Sequence, residues 1–294
     1  MSRTTPLTGI VLACAAAVSF AANTTASPIA ADGGGTVLTY LVMRSTAAAL
    51  LVFILLLATR SSFRLPPRRR WAAFGVGCVL AIYSVSLLSA IQFIPVALAV
   101  LIFYTFPLLT TLYLWISGRE RATWTAGVAL AIAFVGLILA LDLGEPSLDL
   151  RGIGLAALAA LGVTTVVLLN SRLVGMGDSR PVTFHMLSAA CVVFVVVTTV
   201  LGEFALPDTT RGWWAFATGP LFYAFAIVTL FIAMSKLGPI RTSMTMNLEP
   251  VSSMVFGFLL LGQALDGLQI FGAALVIVAV LTIQRTKRPA RAPV

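Results

Sequence analysis

Arg44 and Glu249 are the two side chains most at odds with their surroundings, since each is a formal charge set well inside a long apolar run. Each lies about eight residues from the start of its run. At about 1.5 Å per residue, that is roughly 12 Å along a helix, close to the middle of a hydrocarbon core about 30 Å thick. An isolated charge at that depth is costly, so each must face protein or water and find a partner. Two readings follow. The pair could be a structural ion pair that fixes the second and ninth runs, or a switch that a substrate or a proton weakens. In both, removing one partner strands a buried charge.

Neutral polar and aromatic groups facing a central cavity are the candidates for contacting a solute: Asn23 at the outer end of the first run, Tyr83, Gln92, Tyr104, Asn170, Tyr223 and Asn247. Tyr104 and Asn247 stand out because each precedes a proline, Pro107 or Pro250, by three residues. A proline inside a helix removes a donor and frees a carbonyl, which makes matched kinks of Pro107 and Pro250 and candidate gating points of both. Buried Tyr and Asn also serve as hydrogen-bonding glue between helices, which is the plainer reading of each. His185, the only histidine, titrates near neutral pH in its free form. Its place a few residues into a run makes it a hydrogen-bonded interfacial residue or a proton relay. With few fixed charges, such a site suits a zwitterionic or amphipathic molecule better than a polyanion, and the tyrosines suit an apolar or aromatic side group.

Other chemistries lack their parts. Cys14, Cys78 and Cys191 are an odd number spread over apolar runs with no CxxC or Cys/His cluster, so neither a disulfide framework nor a metal site is indicated. No G-x-S-x-G element accompanies His185, so no catalytic residue is assigned and an intramembrane hydrolase is disfavoured. Gly33-Gly34-Gly35 has no P-loop Lys or Ser/Thr, so nothing points to ATP or another cofactor. A receptor or assembly factor is a further reading, and a specific partner without solute flux would mark it.

These residues must be positioned within a membrane. The 294 residues are 60% hydrophobic and 10% charged, with a mean hydropathy of +1.04, whereas a soluble domain carries about 25% charged residues. Ten apolar runs are long enough to span a bilayer as helices, at about 6–22, 36–59, 71–91, 95–116, 124–142, 152–170, 182–202, 213–235, 241–261 and 268–284. With the N-terminus in the cytoplasm, 16 of the 19 basic residues fall on the cytoplasmic side, and both termini are cytoplasmic. The net charge of +9 therefore reports orientation and contact with lipid headgroups, not nucleic-acid binding. The first run also has the length of a signal peptide. Its counterpart in mid-chain argues for a retained helix.

That counterpart belongs to an internal duplication. Leu7-Thr8-Gly9-Ile10 returns 143 residues later as Leu150-Arg151-Gly152-Ile153, Trp71-Ala72 as Trp214-Ala215, and Pro107 as Pro250. Five runs per copy is an odd number, so the copies insert in opposite orientations, as in carriers built around one central site. The expected fold is an all-α polytopic membrane protein of ten transmembrane helices in two inverted five-helix repeats. Residues 1–142 form the first repeat, 143–151 a connecting loop, 152–285 the second repeat and 286–294 a basic cytoplasmic tail. Repeat symmetry does not extend to the charges: Arg44 maps to Leu187, and Glu249 to Phe106.

The order of these motifs resembles the EamA-type proteins of the drug/metabolite transporter superfamily. The similarity lies in the two repeats, the arginine of Tyr40-Leu41-Val42-Met43-Arg44, Phe106-Pro107, and Leu248-Glu249-Pro250 followed by Leu261-Gly262-Gln263. Two departures are an inserted Arg in Gly118-Arg119-Glu120 and Gln263 where a glutamate is usual. The resemblance implies a secondary carrier in a bacterial inner membrane, exporting amino acids or related metabolites by alternating access, with a multidrug or toxic-compound exporter as the alternative. Its partners would be a small solute and membrane lipid, with no nucleic acid, and proton coupling is one of the modes open to it.

Overall fold

The computed structural model describes residues 6–90, 93–94, 96–120, 123–140, 149–174, 178–261 and 266–285. Among them no strand occurs, and twelve helical segments follow one another: α1 (Pro6–Asp32), α2 (Val37–Ala58), α3 (Pro67–Ala90), α4 (Val96–Phe103), α5 (Phe106–Ile116), α6 (Trp124–Ala140), α7 (Leu150–Val174), α8 (Arg180–Leu201), α9 (Thr210–Leu237), α10 (Pro239–Thr245), α11 (Leu248–Leu261) and α12 (Gly267–Arg285). Seven stretches are long and apolar enough to cross a bilayer, the joined segment Ala99–Ile116 among them, while α6 and α12 are shorter apolar helices. Large apolar side chains cover the outside, such as Leu50, Ile54 and Leu57 on α2 and Val192, Val196 and Val200 on α8. The interior packs small residues and buried hydroxyls and amides among large side chains such as Phe194, Phe216 and Phe231, and an apolar exterior suits lipid as the surrounding solvent.

Two expectations from the sequence are corrected. The first apolar run does not stop at residue 22, because α1 continues through Asn23-Thr24-Thr25 and Pro28 to Asp32. Those polar residues are compatible with a buried helix because they are bonded within the protein: the Thr25 hydroxyl donates to the Ala21 carbonyl at 2.9 Å, and the Tyr40 hydroxyl donates to the Asn23 side-chain oxygen at 3.0 Å. Asn23 therefore sits inside α1, buried, and not at its end. The fourth and ninth runs are not continuous kinked helices. Each is broken in two, at Tyr104–Thr105 between α4 and α5 and at Met246–Asn247 between α10 and α11. Pro107 and Pro250 then occupy the first turn of the second piece, where a missing N–H costs little because those donors have no intrahelical acceptor. Tight bonds close the breaks: Thr105 N–H donates to the Ile102 carbonyl, and Asn247 N–H to the Met244 carbonyl.

Helix packing follows the duplication. α1 lies along α9 as α3 lies along α7; α3 meets α8 as α9 meets α2; α2 pairs with α8, and α6 with α12. Exchanging the two halves leaves this set of contacts unchanged. Two glycines fix the geometry near the site. Gly34, at φ 98°, turns the chain from α1 into α2, and that turn is tied to the loop before α9 by Asp208 N–H to the Gly33 carbonyl and Thr36 N–H to the Ala205 carbonyl. Gly162 lets α7 approach α3, since a Cβ there would lie 2.5 Å from the Tyr83 Cβ.

Candidate functional site

A cavity of about 170 Å³ lies between α1, α2, α3, α7 and α9 and the two helix breaks. The lining residues fall at helical spacing, which explains why they share it. Phe20, Asn23, Thr24 and Ser27 make one face of α1, Val37, Tyr40, Leu41 and Arg44 one face of α2, and Leu80, Tyr83, Ser84 and Leu87 one face of α3. At the end near the α1–α2 turn Thr24 stays exposed. At the opposite end Thr242 and Ser243 of α10 are 0% and 1% exposed, closing the floor.

Arg44 and Glu249 both face this cavity, and among the described residues no ion pair joins them. One Arg44 amino nitrogen donates to the Ser84 hydroxyl at 3.2 Å, and the guanidinium carbon sits 4.5 Å from the centre of the Tyr223 ring. Its Nε is buried without a partner. Glu249, in the first turn of α11, accepts a hydrogen bond from the Thr24 hydroxyl at 3.3 Å. An acid is favoured there, because the start of a helix presents unpaired N–H groups. The site thus holds one cation and one anion with donor and acceptor capacity to spare, between aromatic walls that include the edge-on pair Phe20–Tyr223 at 5.7 Å.

Of the residues expected to contact a solute, Asn23, Tyr83, Tyr104 and Tyr223 line the cavity. The Tyr223 hydroxyl is buried without a hydrogen-bond partner, and the Tyr104 hydroxyl lies against the Glu249 carboxyl. Asn170 and Asn247 do not line it; both are buried, with the Asn170 amide and the Asn247 side-chain oxygen unpartnered. Gln92 lies outside the described residues. His185 is also away from the cavity. Its Nδ1 is 2.8 Å from the Pro181 carbonyl, an acceptor only, so Nδ1 carries the proton, and the ring is held edge-on by Phe74 and Phe184. Sequence reasoning missed Thr24 and Ser84, the hydrogen-bond partners of the two charges. The spacing Phe20/Asn23/Thr24/Ser27 was the available signal, hidden by ending the first run at residue 22.

The cavity straddles the duplication. Nine pairs of lining residues are related by the 143-residue offset: Phe20/Val163, Asn23/Val166, Thr24/Val167, Leu80/Tyr223, Ser84/Ile227, Leu87/Leu230, Leu88/Phe231, Phe103/Met246 and Phe106/Glu249. The wall is symmetric in position, but five of the pairs set a polar residue against an apolar one, so the chemistry is one-sided.

Comparison with known proteins agrees with this architecture. The EamA-like transporter family model matches residues 7–141 and again 150–285. The chain is 31% identical over 211 residues to the threonine/homoserine exporter RhtA of Salmonella typhimurium, a match covering 67% of this chain and 66% of that protein, just under two thirds of its length. It is 22% identical over 228 residues to an uncharacterised transporter of Synechocystis, covering 74% of this chain and 67% of that one. A solved crystal structure shares the fold with a TM-score of 0.79 at 17% identity, over 93% of this chain and 97% of the other. With the family matched once in each half, the chain is an integral membrane protein and belongs to the EamA-like transporter family.

Proposed function

We propose that this protein is a secondary transporter that exports amino acids or closely related small metabolites across a bacterial inner membrane by alternating access. The observation that carries the reading is that Arg44 and Glu249 line one cavity without pairing with each other. Opposite charges held apart at membrane depth suit a zwitterion, its carboxylate on the Arg44 guanidinium and its ammonium on Glu249. Each solute charge then relieves a protein charge that is otherwise costly to bury. The volume of about 170 Å³ is below the roughly 300 Å³ at which drug-sized sites begin, which favours a small metabolite over a multidrug exporter. The exporter RhtA, a relative in the same family, carries threonine and homoserine by its name. Two inverted repeats of five spans, with both termini in the cytoplasm, supply the two access states: the cavity opens toward the α1–α2 turn and is shut at α10.

The deciding experiment loads liposomes containing the purified chain with a panel of labelled amino acids and follows efflux with and without a pH gradient. Faster, saturable loss of particular amino acids supports the reading, and its response to the gradient tests proton coupling. Efflux no faster than from protein-free vesicles for every amino acid, from folded and inserted protein, overturns it.

A further inference from the structure

The side of α1 turned away from the cavity borders a second concavity of about 400 Å³, a groove between α1, α9 and α11. Small residues hollow it out: Ala22 and Ala26 of α1 and Ala215 and Thr218 of α9 line it. Phe256 and Leu260 of α11 form the other wall. The α9 side is a single stripe, Arg211, Trp214, Thr218 and Phe222, with the cation at the end near the α1–α2 turn. From Arg211 to Phe222 is 11 residues, or roughly 16 Å of helix, about the depth of one leaflet in a hydrocarbon core about 30 Å thick.

The end of the groove is built for an anion. Arg211 is exposed, and no ion pair to it is present among the described residues. The N–H of Gly212 beside it is already capped by the Thr209 hydroxyl, and the Arg211 guanidinium offers donors in a planar fork that matches a phosphodiester. Trp214, one turn further in and 70% exposed, is the side-chain type that settles at the headgroup level of a bilayer. Charge at the mouth, an aromatic at the interface and an apolar trough of one leaflet's depth match one kind of molecule.

We propose that this groove is a phospholipid site, with the phosphodiester headgroup on Arg211 and one acyl chain lying along α9 between α1 and α11. The chain would rest on Phe256 and Leu260 of the same helix that presents Glu249 from its first turn. An occupied groove therefore braces α11 from the lipid side while a solute engages it from the cavity.

The test uses the full purified chain, delipidated in detergent and titrated with phosphatidylglycerol, or with diacylglycerol, which lacks the phosphate, under native mass spectrometry. One phosphatidylglycerol should be retained in preference to diacylglycerol. Arg211→Gln should weaken its retention about tenfold or more, and Ala22→Phe should block it by filling the trough. Retention by Arg211→Gln equal to that of the parent, or equal retention of diacylglycerol, overturns the proposal. Should either variant fail to fold, phosphatidylglycerol with a photoreactive acyl chain is applied to the unmodified protein. Label on peptides containing Phe222 or Phe256 supports the site, and label only elsewhere overturns it.

Discussion

The Arg44 guanidinium is oriented from two sides, by the Ser84 hydroxyl and the Tyr223 ring, and still has a buried Nε with nothing to bond. Because Arg44 and Glu249 do not pair, neutralising one should not be cured by neutralising the other. We expect Arg44→Gln, Glu249→Gln and the double variant each to lose most efflux, with no recovery in the double; flux comparable to the parent in the double variant alone would identify an ion pair instead. Thr24→Val removes a hydrogen bond to a charged group, about 1.5–3 kcal/mol, and should raise the half-saturating solute concentration roughly tenfold to a hundredfold with little change in thermal stability, read from saturation curves and melting. The two charges were legible in the sequence because a charge inside an apolar run has no inconspicuous explanation. Thr24 and Ser84 were not, because a neutral hydroxyl shows its importance only once the helix faces are known, and Asn170 and Asn247 pass as cavity residues by depth alone until packing turns them away from it.

Between residues and the whole protein, the two broken helices are the distinctive elements. Pro107 and Pro250 were readable as interruptions, but the position of each break was not. It falls two to four residues earlier, where tight i to i−3 bonds at Thr105 and Asn247 take over from the helical ladder. Since Pro250 sits in the first turn of α11, Pro250→Ala should leave the melting temperature within a few degrees of the parent and yet lower flux by allowing α10 and α11 to merge; unchanged flux would remove the break from the mechanism. The start of α8 is clasped differently. Arg180 donates to the Thr59 hydroxyl at 2.6 Å and the Ser61 hydroxyl at 2.9 Å and pairs with Asp178 at 2.7 Å. Partial burial alone would raise the Asp178 carboxyl, but hydrogen bonds from the Arg180 side chain and N–H outweigh it and hold the group below its usual value. A depressed carboxyl stabilises the fold above the pKa of the unfolded chain and ceases to as pH falls through the folded value. Acidification below about pH 4 should therefore loosen this clasp, and Asp178→Asn should abolish that part of the pH dependence of melting.

At the scale of the whole molecule, the proposed alternating access and the duplication together predict which residues would line the opposite mouth. Ser27 lines the open end, and its repeat counterpart Asn170 is buried with both amide atoms unpartnered. Unsatisfied buried polar atoms cost about 1–3 kcal/mol each, a cost that water would remove if Asn170 came to line the opposite mouth. In a background lacking Cys14, Cys78 and Cys191, Ser27→Cys should react with a membrane-impermeant maleimide from one side of the membrane and Asn170→Cys from the other, the two rates changing in opposite directions when solute is added; labelling of both from one side would refute inverted access. The duplication was readable from the sequence, whereas the partnering of helices was not, because nothing local ties α1 to α9. That partnering bears on how the protein is made. α1 emerges from the ribosome about 200 residues before α9, the helix it lies against, and so spends most of synthesis without the cover that α9 later gives Ala13, Ala26 and Ala30. The packing of the first helix is therefore completed only when the eighth apolar run arrives.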